Sequence, residues 1–147
     1  MKLYLDACAL NRLLDDQRQP RIRREAEAVE DIFRLIQARK VQWVAGTALE
    51  SEIMRNPAFR KRKDALWLLK LADEQPTFSA QTLVRATILE KAGYGAFDAL
   101  HLAMAEEAVV DVLITTDDRF LKQATRGLGN PGIPVLNPLN WMHGRKP

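Results

Sequence analysis

The run Ala96-Phe97-Asp98-Ala99-Leu100-His101-Leu102-Ala103 leads shortly into Asp111-Val112-Leu113-Ile114-Thr115-Thr116-Asp117-Asp118, and these two stretches decide how the chain is read. Gly93-Tyr94-Gly95 breaks the pattern before them, so the first opens a helix reaching Val109. Asp111 to Thr115 is a short apolar strand, after which Asp117 to Arg126 suits a helix again. One acid stands near the start of each helix, Asp98 before the strand and Asp117 after it.

The same grammar extends outward in both directions. Lys2-Leu3-Tyr4-Leu5-Asp6 is a β-type run closed by a carboxylate, and Ala7 to Leu14 suits a helix. Asp15 to Pro20 breaks the pattern, and Arg21 to Lys40 resumes it with Ala26, Val29, Phe33 and Ile36 at helical spacing. Val41 to Ala45 is β-branched and aromatic. Gly46-Thr47 then offers a turn and an N-cap for a helix through Asn56, which Pro57 ends. Ala58 to Asp73 and Ala80 to Ala92 carry further helical patterns. Beyond the glycine-rich turn Gly127 to Gly132, Ile133-Pro134-Val135-Leu136 reads as a strand that Pro134 confines to an edge or a strand start. The order β-α-α-β-α-α-α-α-β-α-β predicts an α/β fold, a mainly parallel sheet with helices on both faces, in a single domain over residues 1–147.

In open parallel sheets, sites form beyond the carboxyl ends of the strands. Acids fall there at four places: Asp6, Glu50 or Glu52, Asp98, and Asp117 with Asp118. Each has an ordinary alternative. Asp6 and Asp117 can cap helices, Asp98 can serve a helix dipole, and either glutamate can lie on a solvated face. Gathered together, however, carboxylates repel one another and are costly to desolvate unless a cation or basic partners neutralise them. Oxygen-only donors favour Mg²⁺ or Mn²⁺ over zinc, and such ions support in-line hydrolysis of a phosphodiester without a protein nucleophile.

Leu5-Asp6, the glutamate of Leu49-Glu50-Ser51-Glu52-Ile53, Phe97 to Ala103, and Ile114-Thr115-Thr116-Asp117 resemble, in order and over nearly the whole chain, the four acidic motifs of PIN domains. The Asp98 segment followed by Thr115 to Asp118 is the most specific part. The resemblance implies a PIN-like three-layer α/β/α fold and an Mg²⁺- or Mn²⁺-dependent nuclease. It also implies, as is frequent in the family, an RNA-cleaving toxin neutralised by a small antitoxin, and a homodimer. Carried over by position, Asp6, Glu52, Asp98 and Asp117 are the catalytic and metal-binding set, with Asp118 an auxiliary ligand. Glu52 is preferred to Glu50 because Glu52-Ile53-Met54-Arg55-Asn56-Pro57 resembles the continuation in one PIN subgroup. Two positions apart on a helix, the two glutamates point about 200° apart. Where the family commonly has a Ser or Thr after its first aspartate, this chain has Ala7 and Cys8, which leaves Thr116 or Thr47 to supply a hydroxyl.

Other features narrow the reading. A chain of 147 residues, 47% hydrophobic and 28% charged, has what one soluble domain requires. Cys8 is the only cysteine, which excludes an intrachain disulfide and a cysteine-built zinc site and points to a reducing cytoplasm. Asp6 cuts the first apolar stretch short of a signal sequence, and no run is long enough to span a membrane. A net charge of +3 does not repel a polyanion such as RNA, and Arg21, Arg23, Arg24 and Arg60 to Lys63 are candidates to contact its phosphates. His101 reads as a packed histidine, His143 as part of a tail, and Trp43, Trp67 and Trp141 as core or helix-packing residues. A receiver-type phosphoacceptor fails for want of a lysine after the last strand, and a haloacid-dehalogenase-type phosphatase fails because Cys8 stands where its second aspartate belongs. The remaining alternative is a catalytically weak PIN-like scaffold that acts through protein contacts.

Overall fold

The computed structural model describes residues 1–145. Strands β1 (Lys2–Leu5), β2 (Gln42–Val44), β3 (Val112–Ile114) and β4 (Val135–Leu136) form one sheet in the order β2-β1-β3-β4, with every neighbouring pair parallel. Leu3 is in register with Trp43 on one side and Val112 on the other; Tyr4 is in register with Val44 and Leu113. Because successive side chains alternate, these two rows face opposite ways, and both are buried. Helices covering both faces explain why the strands are apolar without a break.

One face is covered by α1 (Ala7–Asn11), α2 (Pro20–Gln37) and α8 (Pro138–Arg145), which bring Leu10, Val29, Ile32, Phe33 and Trp141 against Leu3, Trp43 and Val112. Phe33 meets Trp43 edge-on at 5.2 Å between ring centres. Burying one such side chain stabilises the fold by about 1.5–3 kcal/mol. The other face is covered by α5 (Ala80–Ala92), α6 (Ala96–Glu107) and α7 (Asp118–Thr125), whose Leu89, Leu102 and Phe120 pack on Tyr4, Val44 and Leu113. Between β2 and α5 come α3 (Thr47–Met54), α4 (Phe59–Leu68) and a 3₁₀ turn, Leu69–Leu71. No helix of the described residues is long and apolar enough to cross a membrane.

The predicted architecture is present, with local corrections. Pro20, read as part of a break, lies in the first turn of α2, where a missing N–H costs nothing. The first helix stops at Asn11, and the helix expected to run to Asp73 gives way to the 3₁₀ turn. The stretch holding His143 is helix α8, not a tail: the Asn137 side chain accepts from the Leu139 N–H at 2.8 Å, and Trp141 anchors the helix in the core. Trp43 and Trp141 are buried as expected, but Trp67 is 67% exposed. It stands on the outer side of α4, with the Lys70 ammonium 4.2 Å from its ring centre.

Strand order places the reversal of connection between β1 and β3, since the chain leaves β1 for β2 on one side and reaches β3 on the other. A crevice opens at such a point, beyond the carboxyl ends of the two strands. The Asp6 N–H, just past β1, donates to the Ile114 carbonyl at the end of β3 at 3.1 Å. The residues that follow the two strands are thereby held side by side.

Candidate metal-binding and active site

Asp6 is 1% exposed. Its Oδ1 caps α1 by accepting from the Ala9 N–H at 2.9 Å. Asp117 does the same for α7, its Oδ1 accepting from the N–H groups of Arg119 (2.9 Å) and Phe120 (3.3 Å). The capping alternative is therefore real for both residues, yet it uses one oxygen of each carboxylate and fixes the direction of the other. Thr115, buried just past β3, stands between the pair: its hydroxyl accepts from the Asp117 N–H at 3.1 Å and favours the ionised form of Asp6.

Asp98 has no comparable employment. It lies in the first turn of α6, half-buried, and accepts no hydrogen bond among the described residues. Burial pushes its carboxyl up to about 7, and repulsion from Asp6 and Asp117 adds to the rise. Asp6 is pushed up to about 6, again chiefly by burial, with His101, Thr115 and Ala9 opposing the shift. Glu52 acts on both aspartates, whereas Glu50 is exposed and acts on neither. Four of the five acids predicted from sequence thus share one electrostatic neighbourhood.

Asp118 is the exception. Its exposed carboxylate is held bidentately by Arg21, at 2.6 and 2.8 Å, and the guanidinium keeps it below the usual range. The structure turns this auxiliary candidate away from the cluster, because Arg21 at the start of α2 reaches it first.

His101 is buried as the sequence reading expected, but it is not an inert packing residue. Its Nε2 lies 2.8 Å from Glu52 Oε1, and its Nδ1 lies 2.7 Å from the Tyr4 hydroxyl. With Glu52 ionised, Nε2 must carry the hydrogen, so Nδ1 accepts from Tyr4. A directed chain of donors therefore runs from Tyr4 on β1, through His101 on α6, to Glu52 on α3. Gly46 leaves room beside it: a Cβ there would stand 2.6 Å from the Met104 methyl and 3.2 Å from the Tyr4 oxygen. The spacing of Asp98 and His101, three apart on a helix, placed the histidine beside the site; its partner Glu52, on another helix, had no local signal.

Among the described residues, no three His, Cys, Asp or Glu side chains converge as they would directly around one ion. The donor set still suits a hard divalent cation. It consists of carboxylate oxygens, and the Cys8 thiol is kept protonated by burial and by the surrounding acids, so no thiolate competes. Mg²⁺ in particular keeps several waters and needs only one or two direct carboxylates. The hydroxyls of Thr116 and Thr47, the two named from sequence to replace the missing Ser or Thr, are both buried without a hydrogen-bond partner.

Comparison with known proteins identifies the family and the fold. The PIN domain family model matches residues 3–125. No curated protein matches the chain. Among solved structures, the fold is similar to a chain of VapBC2 from Rickettsia felis bound to a DNA fragment from their promoter, with a TM-score of 0.61 and 16% identity over 93% of this chain and 98% of that one. The family model spans most of the sequence, from within β1 through β2 and β3, so the chain belongs to the PIN domain family.

Proposed function

We propose that this protein is an Mg²⁺- or Mn²⁺-dependent endoribonuclease whose site comprises Asp6, Glu52, Asp98 and Asp117. PIN domains are generally nucleases, and the observation that carries the reading is Asp98: a half-buried carboxylate without a hydrogen bond, set among three other acids. An arrangement that costs folding energy and satisfies no structural need fits a group awaiting a cation. When bound, the cation supplies charge neutralisation and polarises the scissile phosphate. The chain's own part is orientation. Helix caps hold Asp6 and Asp117, and His101 holds one oxygen of Glu52.

RNA as substrate is favoured by cations stacked on aromatic rings at the surface. Arg55 lies over Phe97 at 5.1 Å, Arg62 over Phe59 at 5.5 Å, and Lys70 over Trp67. Phe97 immediately precedes Asp98. Such pairs can hold backbone phosphates and stack unpaired bases. By analogy with the VapBC2 neighbour, a small antitoxin partner is proposed, together with a homodimer formed through the exposed Leu83, Val84 and Ile88 of α5.

The test is cleavage of a labelled RNA by the purified protein with Mn²⁺, with EDTA, and by Asp98→Asn and Asp6→Asn variants. Metal-dependent cleavage lost in both variants supports the reading. If the wild type cuts nothing and calorimetry detects no Mn²⁺ binding, the second reading replaces it: a PIN scaffold acting through protein contacts, which Ala7 and Cys8 after the first aspartate favour.

A further inference from the structure

Next to the acids lies a cleft of about 230 Å³ lined by Cys8, Asn11, Arg12, Asp15, Thr116 and Asp117. It is continuous with the site, because Asp117 belongs to both and the Cys8 thiol feels Asp6, Glu52, Asp117 and Asp98 together. Thr116 is 3% exposed and its hydroxyl bonds to nothing, although a hydroxyl buried without a partner is ordinarily avoided. Arg12 is anchored on two sides: its Nε donates to Glu25 Oε1 at 2.8 Å and its Nη1 to Asp15 Oδ2, in the same cleft, at 2.8 Å, while Nη2 has no partner among the described residues.

The anchor itself is elaborate. Glu25 is 1% exposed, and its second oxygen accepts from the Asn137 amide at 2.6 Å, with the Arg21 Nε 3.5 Å away. Asp15, which could oppose an anion in the cleft, is also paired with Lys61 at 3.3 Å. Buried ion pairs of this kind are seldom more stabilising than apolar residues of the same shape, so stability is a poor reason to keep one. What the network does achieve is to hold the guanidinium in place with Nη2 left over, in the same cleft as an idle hydroxyl and beside the acids.

We infer that this cleft is a phosphate subsite, in which Arg12 Nη2 and the Thr116 hydroxyl grip a backbone phosphate next to the scissile one in a single-stranded RNA. The inference rests on the nuclease reading above and adds to it a fixed register for the strand. An arginine suits the task better than a lysine because its planar fork can keep Nε on Glu25 and Nη1 on Asp15 and still offer Nη2.

Binding of a fluorescein-labelled single-stranded RNA, followed by anisotropy over a range of KCl concentrations, tests it. The parent is the full chain carrying Asp98→Asn, so that nothing is cut, with Ca²⁺ present. Arg12→Gln is expected to weaken binding about ten-fold and to reduce the slope of log K against log salt by about 0.7, the value of one phosphate contact on a single strand. Thr116→Val is expected to weaken binding about three-fold while raising Tm, since it removes an unpartnered buried hydroxyl. Should Arg12→Gln fail to fold with Glu25 uncompensated, the Arg12→Gln/Glu25→Gln pair keeps the network neutral and takes its place. Unchanged affinity and salt slope in these variants overturn the subsite, and if the wild type still cuts RNA the nuclease reading survives alone. If the parent binds no RNA and the wild type cuts none, both fall.

Discussion

At the scale of single residues, the site is a balance between helix capping and charge crowding. Asp98 shows the cost. Its carboxyl near 7 and that of Asp6 near 6 lie above the usual carboxylate range, so the folded state binds their protons more tightly than the unfolded chain does. The stability they contribute is complete below about pH 4 and is lost as pH rises through 6 and 7. In EDTA at pH 8, Asp98→Asn is therefore expected to be more stable than the wild type by on the order of 2 kcal/mol, with the difference vanishing towards pH 4. Added Mn²⁺ should raise Tm in the wild type only. Thermal melts at the two pH values, with and without metal, check both statements; a wild type more stable than the variant in EDTA at pH 8 contradicts them.

At the scale of elements, much was legible in sequence because the evidence is local. Val112 to Ile114 is a strand and Ala96 to Glu107 a helix for reasons contained within those stretches, and Asp98 and Asp117 sit at helix starts where their spacing puts them. What sequence could not supply was long-range pairing. The partnership of Glu52 with His101 crosses from one helix to another, and Arg12, Glu25 and Asn137 meet from three parts of the chain. Trp67 was misjudged because an apolar neighbourhood along a helix does not say which side the core lies on. One element also carries avoidable strain. Val109, at the end of α6, has φ 54 and is 77% exposed, a conformation that a β-branched residue adopts at a cost. Val109→Gly should raise stability by about 1 kcal/mol without altering any activity. Urea denaturation measures it, and a lower midpoint with the same slope would refute it.

At the scale of the whole molecule, the two sheet faces are closed by helices, yet α5 keeps an apolar outer strip of Leu83, Val84 and Ile88, each at least half exposed. If this is where two copies meet, Ile88→Lys should convert a dimer to a monomer in sedimentation equilibrium while changing the stability of the monomer by no more than about 0.5 kcal/mol. A wild type that sediments as a monomer rules the strip out. The donor chain from Tyr4 has a mechanical consequence on the same scale. It starts on a sheet strand, passes through a second helix and ends on α3 at Glu52. Helix α3 is thus moored to the body of the protein at the very side chain that faces the other acids. A twist of α3 about its own axis would break that mooring and withdraw Glu52 from them.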